Sequence, residues 1–172
     1  MKYLLYLSVI SLVILGCNSN KEPEIKFIQS TKLVLKNTPK YSLHHPDTWV
    51  ERGFKSNSNS EIFDLWVKAY ADVSYNYMIL PDSVNTDNYT HEMKKSIMNR
   101  GNLLESKSFT KQGKDYFKIV YKLEDPQESR FEHVIFVRKQ EIYSIHLSYS
   151  KKMTPPGYIK QGREILDSFI VK

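Results

Sequence analysis

The sequence predicts an α+β domain in which helices pack against a central antiparallel sheet. Four segments in its second half alternate apolar and polar residues and are joined by short polar turns. Two other segments, one before this series and one after it, repeat apolar residues at helical spacing. Tyrosine supplies 12 of the 172 residues and raises the aromatic share to 13%, which favours strands. We find no internal repeat and no second domain.

The first half of the domain predicts three strands and a loop. Pro46-Asp47 is a turn signal that returns Trp49 toward the core. The stretch SNSNS, residues 56–60, predicts a flexible loop or turn. The predicted strands are residues 40–45, 62–70 and 74–80.

A helix is predicted within residues 86–101, where apolar residues recur at four-residue steps. Thr86 or Asp87 can cap its start, and Arg100-Gly101 closes it. The apolar residues on its stripe are Tyr89, Met93 and Ile97.

A four-strand antiparallel meander follows this helix, and a second helix ends the chain. Polar turns at residues 111–114, 125–128 and 139–140 separate the four strands. Residues 154–156, TPP, open the last helix because proline fits its first turn. The predicted strands are residues 103–110, 115–124, 130–139 and 141–150. The stripe of the last helix is Tyr158, Gly162, Ile165, Leu166 and Phe169.

The N-terminus indicates where the protein is located. After Lys2 the chain is apolar and uncharged to Gly16, which is too short for a comfortable membrane span. Cys17, the only cysteine, follows at once, so no intramolecular disulfide can form. Residues 14–17, ILGC, resemble a bacterial lipobox. That resemblance implies cleavage before Cys17 and acylation of the new N-terminus, with palmitate among the acyl chains; the alternative is an uncleaved anchor.

This interpretation divides the chain into three parts. Residues 1–16 are the lipoprotein signal peptide, 17–30 the lipidated cysteine with a polar tether, and 31–172 the globular domain. The expected location is the bacterial cell envelope, where lipid would anchor the protein to a membrane; the outer membrane, a periplasm-facing position and the cell surface all stay open. Removing the charge of Lys2 from the net +6 leaves +5 without a dense basic block. We therefore expect a membrane contact through Cys17 and no nucleic-acid partner.

Two short motifs resemble PsbP-like domains. Residues 41–49, YSLHHPDTW, have the aromatic-x-apolar-x-x-Pro-x-x-Trp pattern with which those domains begin, and residues 165–169, ILDSF, resemble their close. The resemblance covers residues 41–172. It implies the α/β/α sandwich of the Mog1p/PsbP fold and a habit of docking onto other proteins. Relatives include extrinsic photosystem II subunits and bacterial lipoproteins of unknown role, so the resemblance implies no catalytic residue.

No catalytic, metal or cofactor site is predicted. His44 and His45 are adjacent on a strand and therefore point to opposite faces. No HExxH spacing, G-x-S-x-G elbow or glycine-rich phosphate loop occurs in the sequence. His133 shares its face with apolar residues and is expected to be an inner histidine.

Clustered aromatic residues are the candidate binding face, because tyrosine and tryptophan bury large areas at low entropic cost. The candidates are Trp66, Tyr70, Tyr75 and Tyr77. The expected function is a non-enzymatic, membrane-anchored module that binds an unidentified envelope protein. Two alternatives stay open: a small-ligand binder with an aromatic pocket between sheet and helix, and, with less support, a hydrolase whose site shows only in the fold.

Overall fold

The computed structural model describes residues 26–30, 32–57, 59–67, 71–86 and 88–172. Within these ranges the chain forms ten strands and two helices. The strands are β1 (Leu33–Asn37), β2 (Tyr41–Pro46), β3 (Val50–Ser56), β4 (Ser60–Val67), β5 (Ala71–Ile79), β6 (Asn102–Lys111), β7 (Lys114–Lys122), β8 (Ser129–Arg138), β9 (Glu141–Ser150) and β10 (Ile170–Val171). The helices are α1 (Tyr89–Met98) and α2 (Pro156–Ser168).

Seven strands form one antiparallel sheet in the order β3-β4-β5-β9-β8-β7-β6. The predicted meander is confirmed, since β6 to β9 pair in sequence through short turns. Gln112 and Gly113 have φ angles of 50° and 71°, and Lys139 has 53°, the left-handed conformation that tight hairpin turns need. A separate sheet has the order β1-β2-β10.

One face of the large sheet, here called the inner face, is covered by α2 and the three-stranded sheet. The predicted stripe of α2 is confirmed and buries its residues against β2, β5 and β9. A Cβ atom on Gly162 would lie 2.5 Å from Leu147 Cδ1, so glycine is what allows the helix to approach β9. Trp49 is 1% exposed and its Nε1 donates to Gln161 Oε1 at 3.0 Å, which confirms the predicted return of the chain.

A buried carboxylate fastens α2 to the inner face. Glu132 on β8 is 1% exposed, and its Oε1 accepts from Arg163 Nε at 2.8 Å and from the Tyr149 hydroxyl at 3.1 Å. Lys118 Nζ lies 3.6 Å from the other carboxylate oxygen. Burial of a charge is tolerable here because Glu132 is both paired and hydrogen-bonded.

The opposite face, here called the outer face, is covered only in part. Ile97 of α1 packs on Ile119, Ile135 and Ile142, with a ring of half-buried apolar residues around them. The helix contacts β6 and β7. The outer face over β4, β5 and the adjoining half of β9 therefore lies outside the cover of α1.

The predicted fold class is correct in its main features and needs refinement in others. A central antiparallel sheet has a helix on each side, but the sheets dominate, so α/β/α sandwich describes the fold only roughly. Strands β1, β3 and β10 have no counterpart in the sequence prediction. The first helix begins after Asn88, and no described side chain caps it; Thr86 contributes its backbone carbonyl to Tyr89 N–H instead. Asp87, the other predicted cap, lies outside the described residues.

The last residues of the predicted tether lie against the domain. The Phe27 ring packs edge-on against the Tyr158 ring at 5.0 Å, and Ile28 N donates to the Tyr158 hydroxyl at 3.0 Å. Residues 27 and 28 of the predicted tether therefore contact the globular domain. Within the described ranges, no helix has the length and apolar character needed to cross a membrane. Cys17 and the predicted signal peptide, residues 1–16, lie outside them.

Candidate functional site

The uncovered part of the outer face, called the open face below, is built from aligned residues of four neighbouring strands. Because side chains alternate along a strand, every second residue of β4, β5, β9 and β8 points outward. Pairing then places these residues in rows across the sheet. The first row is Trp66, Asp72, Ser148 and Phe131; the second is Asp64, Ser74, His146 and His133; the third is Ile62, Asn76 and Ser144, and it ends at Ile135, which α1 covers.

The first two rows have aromatic or imidazole groups toward β8 and small polar groups in the middle. Neighbouring strands lie about 4.8 Å apart, so Trp66 and Phe131 stand roughly 14 Å apart across a floor of polar residues. The Phe131 ring stacks on Tyr121 at 4.9 Å, which braces that side. Arg52 braces the other, with its guanidinium carbon 4.6 Å from the centre of the Trp66 ring.

A cavity of about 250 Å³ opens in the first row. Trp66 and Phe131 contribute apolar surface to it, and Arg52 and Asp72 contribute opposite charges. Polar lining comes also from Gln127, Ser129, Ser148 and Ser150. The cavity therefore combines apolar surface that could bury a ligand with polar groups that could orient it, and its lining is more polar than that of most small-ligand sites.

Asp72 is held in place by two serines. Ser148 Oγ donates to Asp72 Oδ1 at 2.5 Å, and Ser74 Oγ lies 3.5 Å from Oδ2. Among the described residues, neither Asp72 nor Arg52 forms an ion pair, although both line the same cavity. The cavity therefore presents one positive and one negative group that the fold itself leaves unpaired.

A stacked histidine pair borders the cavity row. The rings of His133 and His146 are 5.0 Å apart and nearly parallel, and His133 also stacks on Tyr121 at 5.6 Å. Burial, with a smaller contribution from His146, lowers the pKa of His133 to about 3. Burial also lowers the pKa of His146, against the opposing effect of Asp72 and Asp64. Both rings are therefore neutral at neutral pH, and His133 is the inner histidine that its sequence context predicts.

The open face lacks the arrangement of a serine hydrolase. The serines next to Asp72 donate to its carboxylate, and within the described part of the chain no serine hydroxyl bonds to a histidine ring. Catalysis by serine requires that hydrogen bond to activate the nucleophile. The same part of the chain has no group of three His, Cys, Asp or Glu side chains that could hold a metal. His44 is exposed and His45 is 4% exposed, on opposite faces of β2.

The aromatic residues predicted as a binding face do not lie together. Trp66 lies on the open face, whereas Tyr75 and Tyr77 are 0% and 4% exposed in the inner core. The reason is the strand period: Trp66 pairs with Asp72, and odd-numbered residues of β5 point the opposite way. The expected face is corrected accordingly. Tyr70 lies outside the described residues.

Sequence reasoning found only Trp66 among the residues that line the cavity, and it missed Arg52, Asp72, Phe131 and Ser148. Each of these four is an ordinary polar or aromatic residue; Phe131 and Ser148 fall in predicted strands, whereas Arg52 and Asp72 do not. What brings them together is the pairing of β5 with β9, whose partners Asp72 and Ser148 are far apart in the chain. The one indication in the sequence is the alternation of β9, which predicts that Ser148 points to the face of the sheet away from the core.

Comparison with known proteins identifies the fold. No family model and no curated protein matches the sequence. The solution structure of cyanobacterial PsbP (CyanoP) from Synechocystis sp. PCC 6803 superposes with a TM-score of 0.60 at 13% identity, covering 88% of this chain and 99% of that one. A Pseudomonas aeruginosa protein of unknown function gives a TM-score of 0.46 at 14% identity, covering 77% and 94%. The chain therefore has a PsbP-like fold, as its motifs indicate; at these identities the likeness shows the fold alone.

Proposed function

We propose that this chain is a lipid-anchored, extracytoplasmic accessory module that binds an envelope protein through the open face of its large sheet. The observation that carries this proposal is the incomplete cover of the outer face. α1 shields the apolar residues near β6 and β7, while the row from Trp66 to Phe131 has no covering element among the described residues. Aromatic side chains flanking polar groups are enriched at protein–protein contacts.

A non-enzymatic role agrees with the chemistry of the open face. Ser74 and Ser148 donate to Asp72, Ser144 donates to the Asn76 carbonyl, and the two histidines are stacked and neutral, so no described residue of this face is placed as a nucleophile activated by a base. The PsbP-like fold supports an accessory role by analogy, since the similar structure is a cyanobacterial PsbP and the sequence motifs resemble the same group of domains.

Lipidation at Cys17 would hold the domain, and with it the open face, near a membrane. Residues 18–25 separate Cys17 from Lys26, the first described residue. Fully extended, that tether spans roughly 30 Å. Because Phe27 and Ile28 are attached to Tyr158 at the start of α2, the domain would approach the membrane by that end. Neighbouring Ile28 and Val50 are 62% and 57% exposed.

The anchor is tested by replacing Cys17. We expect the wild-type protein to incorporate labelled palmitate and to fractionate with membranes, because acylation of the thiol supplies the attachment. Cys17→Ser should incorporate no label and retain its signal peptide. Intact-mass measurement on membrane-extracted wild-type protein checks the same point: a mass that includes Met1, or an unmodified Cys17, would contradict lipidation.

The docking face is tested by site-specific photo-crosslinking in cells. A crosslinker at Asn76, on the open face outside the cavity lining, should capture one dominant envelope protein. The control position is Lys160 on α2, whose side chain is 81% exposed on the other side of the sheet. Mass spectrometry of the adducts decides: matching background profiles from both positions would count against docking through the open face.

A small-ligand binder is the second candidate function, and the cavity of about 250 Å³ favours it. The expected position for such a pocket was between sheet and helix. The cavity that holds the two charged residues lies on the open face instead, while a second cavity of about 500 Å³ lies between β2 and α2 and is lined by His44, Pro46, Glu164 and Ile165.

A further inference from the structure

Two opposite charges line the same cavity without neutralising each other. Neither Arg52 nor Asp72 has an ion-pair partner within 4.0 Å among the described residues. An anion alone would meet Asp72 there, and a cation alone would meet Arg52. Only a ligand that carries both signs of charge matches both groups at once.

Arg52 is positioned to receive a carboxylate. It lies at the irregularity in β3 where the register shifts between Glu51 and Gly53, so its side chain can turn over the end of β4. The cation–π contact with Trp66 holds the guanidinium at the cavity, and no described residue accepts a hydrogen bond from it. A planar guanidinium presents paired donors that match the two oxygens of a carboxylate.

Asp72 is positioned to receive an ammonium group. The hydroxyls of Ser148 and Ser74 fix its carboxylate, so little side-chain freedom remains to be lost on binding. A carboxylate oxygen can accept more than one hydrogen bond, and an ammonium group offers three donors. Trp66 and Phe131 also line the cavity and offer apolar surface to the side chain of a ligand.

We propose that this cavity binds a small zwitterion, a free amino acid or short peptide, with its ammonium group at Asp72 and its carboxylate at Arg52. A volume of about 250 Å³ suits a ligand of this size. The site belongs to the open face, so its biological role depends on the binding function proposed for that face. The ligand class itself rests on the two unpaired charges.

The test measures binding of L-leucine and of the peptides Leu-Leu and Leu-Leu-Leu to the full chain purified in detergent. Calorimetry gives the affinity, and tryptophan fluorescence gives the location, because Trp66 lines the cavity while Trp49 is 1% exposed in the core. At least one member of the series should bind and change the fluorescence. N-acetyl-leucine, which lacks the ammonium group, and leucine amide, which lacks the carboxylate, should bind tenfold or more weakly. If a peptide binds best, its N-acetyl and amide analogues serve as the corresponding controls.

Variants of the two charged residues provide the matched control. Arg52→Gln and Asp72→Asn should each weaken zwitterion binding on the order of tenfold or more. Asp72→Asn should also remove the discrimination against the N-acetyl analogue, and Arg52→Gln that against the amide. Phe54→Ala, which alters an exposed aromatic residue of β3 outside the cavity, should leave affinity unchanged. Far-ultraviolet circular dichroism confirms that each variant is folded.

Two results would overturn the proposal: no zwitterion in the series binds, or the blocked analogues bind as tightly as the zwitterion. Either leaves the docking function intact if the crosslinker at Asn76 still captures one partner. Conversely, amino-acid binding with no captured protein would argue against docking and favour the small-ligand function. The crosslinking experiment and the binding experiment therefore test the two proposals independently.

Discussion

Replacing Arg163 with methionine is expected to lower the free energy of unfolding by about 3 kcal/mol, the low end for breaking a buried ion pair. Glu132 is 1% exposed, and Arg163 supplies two of its contacts, from Nε at 2.8 Å and Nη2 at 2.6 Å. Without them, Lys118 at 3.6 Å and the Tyr149 hydroxyl are its remaining partners. The low end applies because the Arg163 side chain is 51% exposed, so water screens part of the interaction.

Urea unfolding of a double-mutant cycle measures this coupling. Combining Arg163→Met with Glu132→Gln should cost less than the sum of the single changes, since the neutral amide no longer needs the cation. Glu164→Gln is the control, because its pair with Lys160 spans 4.0 Å between side chains that are 58% and 81% exposed. It should change stability by less than about 0.5 kcal/mol. Equal costs for Arg163→Met and Glu164→Gln would show that Glu132 does not fasten α2.

The Glu132 cluster also shows which parts of the fold can be predicted from local sequence patterns. The meander from β6 to β9 was predicted because each strand buries one face and alternates accordingly. In that alternation Glu132 is a polar residue at an inward-facing position. Its partner Arg163 belongs to α2, and the alternation of the strands does not predict how that helix is oriented. Local periodicity predicts the strand, whereas the ion pair depends on how α2 crosses it.

The sequence prediction missed β3 and β10 because neither strand can produce an alternating pattern. All seven residues of β3 are exposed, so this edge strand has no buried face to produce alternation. The two residues of β10 are too few for any pattern, and they form a strand because they pair with β2. Burial on one face is what sequence periodicity detects, and these strands depend on pairing instead.

The candidate site was predictable only in part. Trp66 lines the cavity and stays a predicted binding residue, but Tyr75 and Tyr77 belong to the core. When a strand has aromatic residues on both faces, the sequence pattern around a tyrosine is the same whichever face of the sheet is covered. The direction is decided by α2, which lies over Tyr75, and by α1, which leaves Trp66 uncovered. Only tertiary packing distinguishes the two faces.

Acid is expected to destabilise the fold through His133. Burial lowers the pKa of His133 to about 3, whereas an imidazole in the unfolded chain titrates near 6.5. Between these values the unfolded chain binds a proton that the folded chain does not, so stability is complete above pH 6.5 and falls as pH decreases toward 3. One such proton contributes a slope of about 1.4 kcal/mol per pH unit, or about 3 kcal/mol between pH 6 and pH 4. His146, whose pKa is also lowered, acts in the same direction.

His133→Phe isolates this contribution, because phenylalanine can take the place of the ring between Tyr121 and His146 but cannot bind a proton. Urea unfolding at intervals from pH 4 to pH 7 should give a curve that is flatter than the wild type by about one proton. His44→Gln, a change at an exposed histidine of β2, should leave the wild-type slope unchanged. Parallel curves for wild type and His133→Phe would mean that the folded protein accommodates a charged imidazole at this position. In that case the stacked pair would be open to protonation in the native state, and the open face would gain positive charge in mild acid.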